Sequence, residues 1–216
     1  LLAISLIIED VRLLKKYEKE GLMKIVLASS NKHKVQEIND IVKSVMGKNC
    51  DVEFILPPQG FDPIEDGLTF EDNSKIKALA AWELTKTWSL ADDSGLCIKA
   101  LDDAPGLYSA RYADTPQKRI DRVLLEMQDK KDRTAKFVCA MTLINPNGEV
   151  AFACKGVCEG SITQKQAGVN GFGYDPIFLV KDKNVTMAEL SESEKNKISH
   201  RFKALNQVLE YLQKIN

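Results

Sequence analysis

Short apolar runs bounded by polar or turn-forming residues alternate along this chain with stretches whose apolar positions recur every three to four residues. Lys24–Ala28 predicts a buried strand. After the polar loop Ser29–Lys34, apolar Val35, Ile38, Ile41, Val42 and Val45 predict a helix, with Ser30 or Asn31 as its natural N-cap. Val52–Leu56 reads as a short strand stopped by Pro57-Pro58. Thr69-x-x-Asp72 is a capping signature for a helix over 70–86 whose apolar side carries Phe70, Ala80, Ala81 and Leu84. The run Trp88–Ala91 then reads as a strand ending at Asp92-Asp93-Ser94-Gly95, a predicted bend because aspartate is a poor strand former, and Leu96–Ile98 resumes it.

Thr115-Pro116 opens a further helix with apolar Ile120, Val123, Leu124 and Met127. Two strands follow, Lys136–Ile144 and Glu149–Cys158, joined by the hairpin turn Asn145-Pro146-Asn147-Gly148. Ile177–Val180 is another strand, Ser191-x-x-Glu194 caps a short helix, and the last helix presents Phe202, Leu205, Leu209 and Leu212 to a core. Strand–helix units followed by a hairpin imply an α/β fold on a mixed sheet.

Composition narrows the possibilities. A chain of 216 residues suits one large α/β domain or two small ones, and 44% hydrophobic with 28% charged residues is ordinary for a globular protein. A formal net charge of -1 argues against a nucleic-acid or membrane-surface partner, so an anionic ligand needs a local cluster of cations. The five cysteines, Cys50, Cys97, Cys139, Cys154 and Cys158, include no C-x-x-C and read as reduced thiols of a cytoplasmic protein. The apolar start, Leu1–Ile8, is too short to span a bilayer, and residues 1–22 read as an N-terminal extension, the tail of an upstream segment, before a domain over 23–216.

Several polar clusters interrupt this pattern. The loop Ser29–Lys34 between a strand and a helix N-terminus makes an anion site, although a solvated cap with two surface lysines explains it equally. Asn73 and Lys77, at i and i+4, project from the side of their helix that a core would bury, so both need partners. Asp92 and Asp93 between apolar runs are costly to desolvate without a cation against them. Gly171, Phe172 and Gly173 leave an aromatic ring free to stack on a ligand. Lys195, Lys197, His200 and Arg201 gather around the start of the last helix, where positive charge opposes the macrodipole at about 0.3–1 kcal/mol each when exposed. Acids together with cations fit a Mg²⁺–nucleoside triphosphate, the carboxylates holding the metal and the lysines offsetting the phosphates.

Seven motifs in register resemble the inosine triphosphate pyrophosphatase family. They are Ser30-Asn31-x-x-Lys34, Glu65 before Gly67-Leu68-Thr69-Phe70, Asn73-x-x-x-Lys77-Ala78, Ala91-Asp92-Asp93-Ser94-Gly95-Leu96, Pro105-Gly106-x-Tyr108-Ser109-Ala110-Arg111, Gly171-Phe172-Gly173-Tyr174-Asp175-Pro176 and Ser199-His200-Arg201. The resemblance covers Met23 to Leu212 and implies an elongated mixed β-sheet flanked by helices in two lobes with a cleft between them, in a homodimer. It implies hydrolysis of purine nucleoside triphosphates with non-standard bases (ITP, dITP, XTP) to the monophosphate and pyrophosphate, with Mg²⁺ as cofactor.

Carried over residue by residue, the resemblance makes Asp93 the general base and a metal ligand, Glu65 a second metal ligand and Asp92 a supporting neighbour. Ser29, Ser30, Asn31, Lys32, His33, Lys34, Asn73, Lys77 and Ser94 become phosphate and sugar contacts. Phe172, Gly173, Tyr174, Asp175, Lys195, His200 and Arg201 become the base-reading set. A related pyrophosphatase acting on pyrimidine or modified triphosphates, a nucleotide sensor without turnover, and a single-strand nucleic-acid module using Phe172 and the lysines, which the net charge of -1 disfavours, are the competing readings.

Overall fold

A computed structural model describes residues 23–29, 32–47 and 52–215, with 32 and 33 described by their backbone. Residues 1–22 and Cys50 lie outside the described residues. Six strands form one sheet in the described residues: β1 Met23–Leu27, β2 Val52–Ile55, β3 Trp88–Ile98, β4 Thr134–Ile144, β5 Val150–Ile162 and β6 Phe178–Val180, in the order β2-β1-β3-β4-β5-β6. β1 runs parallel to β2 and β3, whereas β5 and β6 are antiparallel, so the sheet is mixed as the pattern predicts. The helices are α1 Lys32–Met46, α2 Phe70–Thr85, α3 Pro116–Glu126, α4 Glu192–Ile198 and α5 His200–Ile215.

Local chemistry sets the helix ends. Thr69 Oγ1 accepts the Asp72 N–H at 3.0 Å and Thr115 Oγ1 the Lys118 N–H at 3.2 Å, each satisfying a donor that the first turn leaves open. Ser191 and Glu194 form the reciprocal capping box ahead of α4. The hairpin turn closes through Gly148 N–H to Asn145 C=O at 3.0 Å.

The chain divides into two compact units. The first comprises the described residues up to Asp92 together with Met141–Ala153, the second Asp93–Ala140 and the chain from Cys154 onward. In the first, Val26, Ala28, Ala91 and Ile144 pack against Ala78 and Ala81 of α2, whose small side chains let helix and strands approach closely. Trp82 covers the edge of this core. Its indole N–H donates to Pro146 C=O at 3.0 Å, and Lys86 Nζ sits 3.7 Å from its ring centroid.

The second unit has a core of its own, with Leu96, Ile98, Val123, Met127, Phe137, Tyr174, Ile177 and Phe178. The Phe137 and Phe178 rings pack at 4.4 Å. Arg133 fastens its rim by donating to three backbone carbonyls, those of Met127, Ile162 and Thr163, at 2.9, 2.5 and 2.6 Å.

Three expectations are corrected. The chain does not bend at Asp92-Asp93-Ser94-Gly95: β3 continues through it to Ile98. Val45 of α1 and Leu84 of α2, expected in the core, are exposed. The hairpin strands are also longer than their apolar runs, because β5 continues through Glu159-Gly160-Ser161 to pair with β6.

Candidate active site

The first unit supplies two lysine–carboxylate pairs. Asp92 lies within β3, and its side chain is fully buried, which requires an opposing cation. Lys34, in the first turn of α1, provides it, with Nζ 3.0 Å from Asp92 Oδ2. Lys77 lies on the buried side of α2 and reaches Glu65 Oε2 at 3.0 Å, and the Glu65 side chain keeps 35% exposure.

Asn73, one turn before Lys77, accepts the Gly67 N–H on Oδ1 at 2.8 Å. A Cβ on Gly67 would lie 2.6 Å from Asp72 Cβ and 2.7 Å from Asn73 Oδ1, so a side chain there would push away the loop that carries Glu65. The partners that the buried Asn73 and Lys77 demanded are therefore a loop amide and a loop carboxylate. Ser29 lies two residues past the end of β1, its N–H donating to Leu27 C=O at 2.8 Å. Ser30, Asn31 and the side chains of Lys32 and His33 lie outside the described residues.

The second unit gathers the remaining predicted residues. Asp93 and Ser94 lead its segment of β3, and Asp93 is buried. Arg201, on the first turn of α5 and 2% exposed, donates from Nη2 to Ser94 Oγ at 3.3 Å. That bond offsets part of the cost of positive charge at a helix N-terminus.

Asp175 is the hub of the glycine-rich loop. Its Oδ2 accepts the Phe172 N–H at 2.8 Å and pairs with Lys195 Nζ at 2.8 Å, both ionic side chains being buried. Lys195 Nζ in turn lies 4.5 Å from the Phe172 ring centroid, and the Arg201 guanidinium 5.8 Å from it. Gly171 has φ +74°, and a Cβ there would run into Asp175 Oδ2, so glycine is required on both counts. Gly173, at φ +63°, completes the turn. His200 is buried and stacks on Phe137 at 4.9 Å with 14° between the rings.

Tyr174 differs from its neighbours. It is buried in the core, and its hydroxyl donates to Ser109 C=O at 2.9 Å. Burial pushes its phenol far above the usual range, so it remains a donor at any working pH. Ser109 has no role in the sequence reading beyond its place in the motif Pro105–Arg111. A serine in such a turn could have been read as a local hydrogen-bonding residue, but not as one that also bonds a distant strand.

No three His, Cys, Asp or Glu side chains converge on a metal position among the described residues. Mg²⁺ commonly takes one or two carboxylates and fills its remaining positions with water and substrate phosphate oxygens. Asp93 in the second unit and the partly exposed Glu65 in the first each carry hard oxygen donors of the kind such an ion takes.

A sequence model of the Ham1 family matches residues 25–211. A dITP/XTP pyrophosphatase of Oceanobacillus iheyensis is 46% identical over 203 residues, covering 90% of this chain and all of its own length. One from Synechococcus sp. is 41% identical over 88% of this chain and 90% of its own. Among solved structures, a HAM1 protein from Coxiella burnetii superposes with a TM-score of 0.80 at 42% identity, covering 89% of this chain and 100% of its own. The Staphylococcus aureus Ham1 protein gives 0.79 at 38% identity with the same coverage. With matching motifs, sheet and relatives over nearly the whole described chain, this protein belongs to the Ham1 family.

Proposed function

We propose that this chain hydrolyses ITP, dITP and XTP at the α-phosphate, releasing the nucleoside monophosphate and pyrophosphate and so clearing non-standard purines from the nucleotide pool. The observation that carries this reading is the bonded group of the second unit. A half-buried aromatic ring is flanked by Lys195 and Arg201, and Arg201 is bonded to Ser94, the residue after Asp93. Relatives covering nearly the whole chain bear the name dITP/XTP pyrophosphatase.

In this reading Asp93 accepts a proton from the water that attacks the α-phosphorus. The new P–O bond forms as the bond from that phosphorus to the bridging oxygen breaks, and pyrophosphate leaves. Asp92 and Asp93 are adjacent on a continuous strand and so point to opposite faces, which assigns the two acids different tasks. Asp92 holds Lys34. Lys34 and Lys77 meet phosphate oxygens, and their carboxylate partners keep both ammonium groups in place beforehand. Asp93 and Glu65 would hold Mg²⁺, which when bound offsets charge on the phosphates and on the leaving pyrophosphate.

Phe172 stacks on the base. Donors from the turn at His200 and Arg201 suit the 6-keto acceptor of hypoxanthine or xanthine. Adenine presents a donor there and leaves them unpaired, a mismatch worth about 10⁴-fold in kcat/KM. A cytoplasmic homodimer completes the proposal, and light scattering tests the dimer.

Incubation with ITP, XTP, GTP, ATP and dTTP, with and without Mg²⁺, tests the activity. Pyrophosphate released from ITP and XTP in preference to the others is the expected result. Orthophosphate as product, or no preference among bases, would sink the proposal.

A further inference from the structure

The second unit contains a residue placed to set the geometry of two site elements at once. Ser109 lies in the 3-10 turn Gly106–Arg111 and is buried. Its Oγ donates to Gly106 C=O at 2.6 Å and accepts the Leu96 N–H at 2.9 Å. Its own carbonyl accepts the Tyr174 hydroxyl at 2.9 Å in the core. Leu96 stands two residues beyond Ser94 on β3, and Tyr174 lies between Phe172 and Asp175 in the glycine-rich loop.

The β1 pairing to β3 ends at Leu90. Further along β3, segment 104–109 supplies hydrogen bonds that a neighbouring strand would give: Leu96 N–H to Ser109 Oγ, and Ile98 N–H to Ala104 C=O at 3.2 Å. The turn is thus both a substitute strand edge and the anchor of the loop.

We infer that Ser109 is a positioning residue, fixing the distance from the Asp93 segment of β3 to the Phe172–Asp175 loop through Leu96 on one side and Tyr174 on the other. Ser109 itself touches no reacting atom. Its effect is to hold the aromatic ring and the Asp175–Lys195 pair at one spacing from Ser94 and Asp93. This inference rests on the proposed function for its kinetic consequence but not for its geometry.

The test uses Ser109→Ala, which deletes Oγ, Ser109→Thr, which keeps a hydroxyl, and Tyr174→Phe, which removes only the phenol oxygen and retains the ring in the core. Hydrogen exchange is read at the Phe172 amide, whose donor bond to Asp175 reports on the loop. It is expected to rise about tenfold in Ser109→Ala and in Tyr174→Phe, and to return toward wild type in Ser109→Thr.

With ITP, the same two variants are expected to raise KM about five- to tenfold while kcat falls less than threefold. The double variant is expected to be no worse than Ser109→Ala alone, because both changes cut one connection. Unchanged Phe172 exchange in Tyr174→Phe, or losses that simply multiply in the double variant, would overturn the inference. If the wild type releases no pyrophosphate from ITP, the functional proposal fails, and the exchange measurement still decides the role of Ser109.

Discussion

Both units bury lysine–carboxylate pairs, but they build them for different ends. In the first, Lys77 is buried while the Glu65 side chain keeps 35% exposure, and its loop is held by a separate bond from Gly67 to Asn73. In the second, Lys195 and Asp175 are 8% and 5% exposed, and Asp175 also bonds the Phe172 amide. A carboxylate with one cationic partner and open solvent can exchange that partner for a phosphate-bound metal. A carboxylate with two protein donors is committed to shape. In the proposed reaction the first arrangement suits ions that come and go, and the second a rigid surface for reading a base.

Tests of this contrast run from large effects to small. Asp93→Asn keeps the shape of the side chain and removes the proposed base, so kcat for pyrophosphate release is expected to fall about 10³-fold with little change in Tm. Wild-type turnover in that variant would move the chemistry elsewhere. Lys195→Met removes the cation from the buried Asp175 carboxylate and is expected to cost about 3–5 kcal/mol in urea unfolding. Lys77→Met leaves Glu65 partly solvated and is expected to cost about 1 kcal/mol, with its main effect on KM. Equal losses from the two lysine variants would break the comparison.

Gly171→Ala forces a side chain to φ +74° against Asp175, and a loss of about 1–3 kcal/mol is expected, read as a lower Tm with weaker substrate binding.

Alkaline pH offers a gentler separation. Burial pushes the Cys97 thiol up to about 11 and the Cys154 thiol up to about 12, and it raises Cys158 as well. All three belong to the second unit. A thiol raised in the folded state contributes stability that is complete below its unfolded value near 9.0 and is lost as pH climbs through the folded one. The second unit is therefore expected to weaken between about pH 9 and pH 12, measured by urea unfolding across that range. The same burial makes these thiols slow toward alkylation at neutral pH.

What the sequence revealed and what it concealed divide by range. Caps at Thr69, Thr115 and Ser191 and the Asn145–Gly148 turn were legible because each is a side chain or turn satisfying nearby backbone. The need for partners at Asn73, Lys77 and Asp92 was legible too, but not their identities: the loop just before the helix serves Asn73 and Lys77, and a helix far away in the chain serves Asp92. The bend expected at Asp92-Asp93 failed for that reason. Aspartate's weak strand preference is outweighed when Lys34, far away in the chain, neutralises the buried acid. Helical periodicity overreached at Val45 and Leu84, where the apolar stripe extends beyond what the unit covers. Ser109 was visible only as part of a motif, because two of its three partners lie 13 and 65 residues away.

The position of Trp82 has an optical consequence. The chain's two tryptophans, Trp82 and Trp88, both belong to the first unit, while four of its five tyrosines, Tyr108, Tyr112, Tyr174 and Tyr211, belong to the second. Selective tryptophan excitation therefore reports directly on only one half of the molecule. An unfolding curve followed by indole emission and one followed by tyrosine absorbance, which is weighted toward the second unit, will diverge wherever the halves melt separately, without any engineered probe.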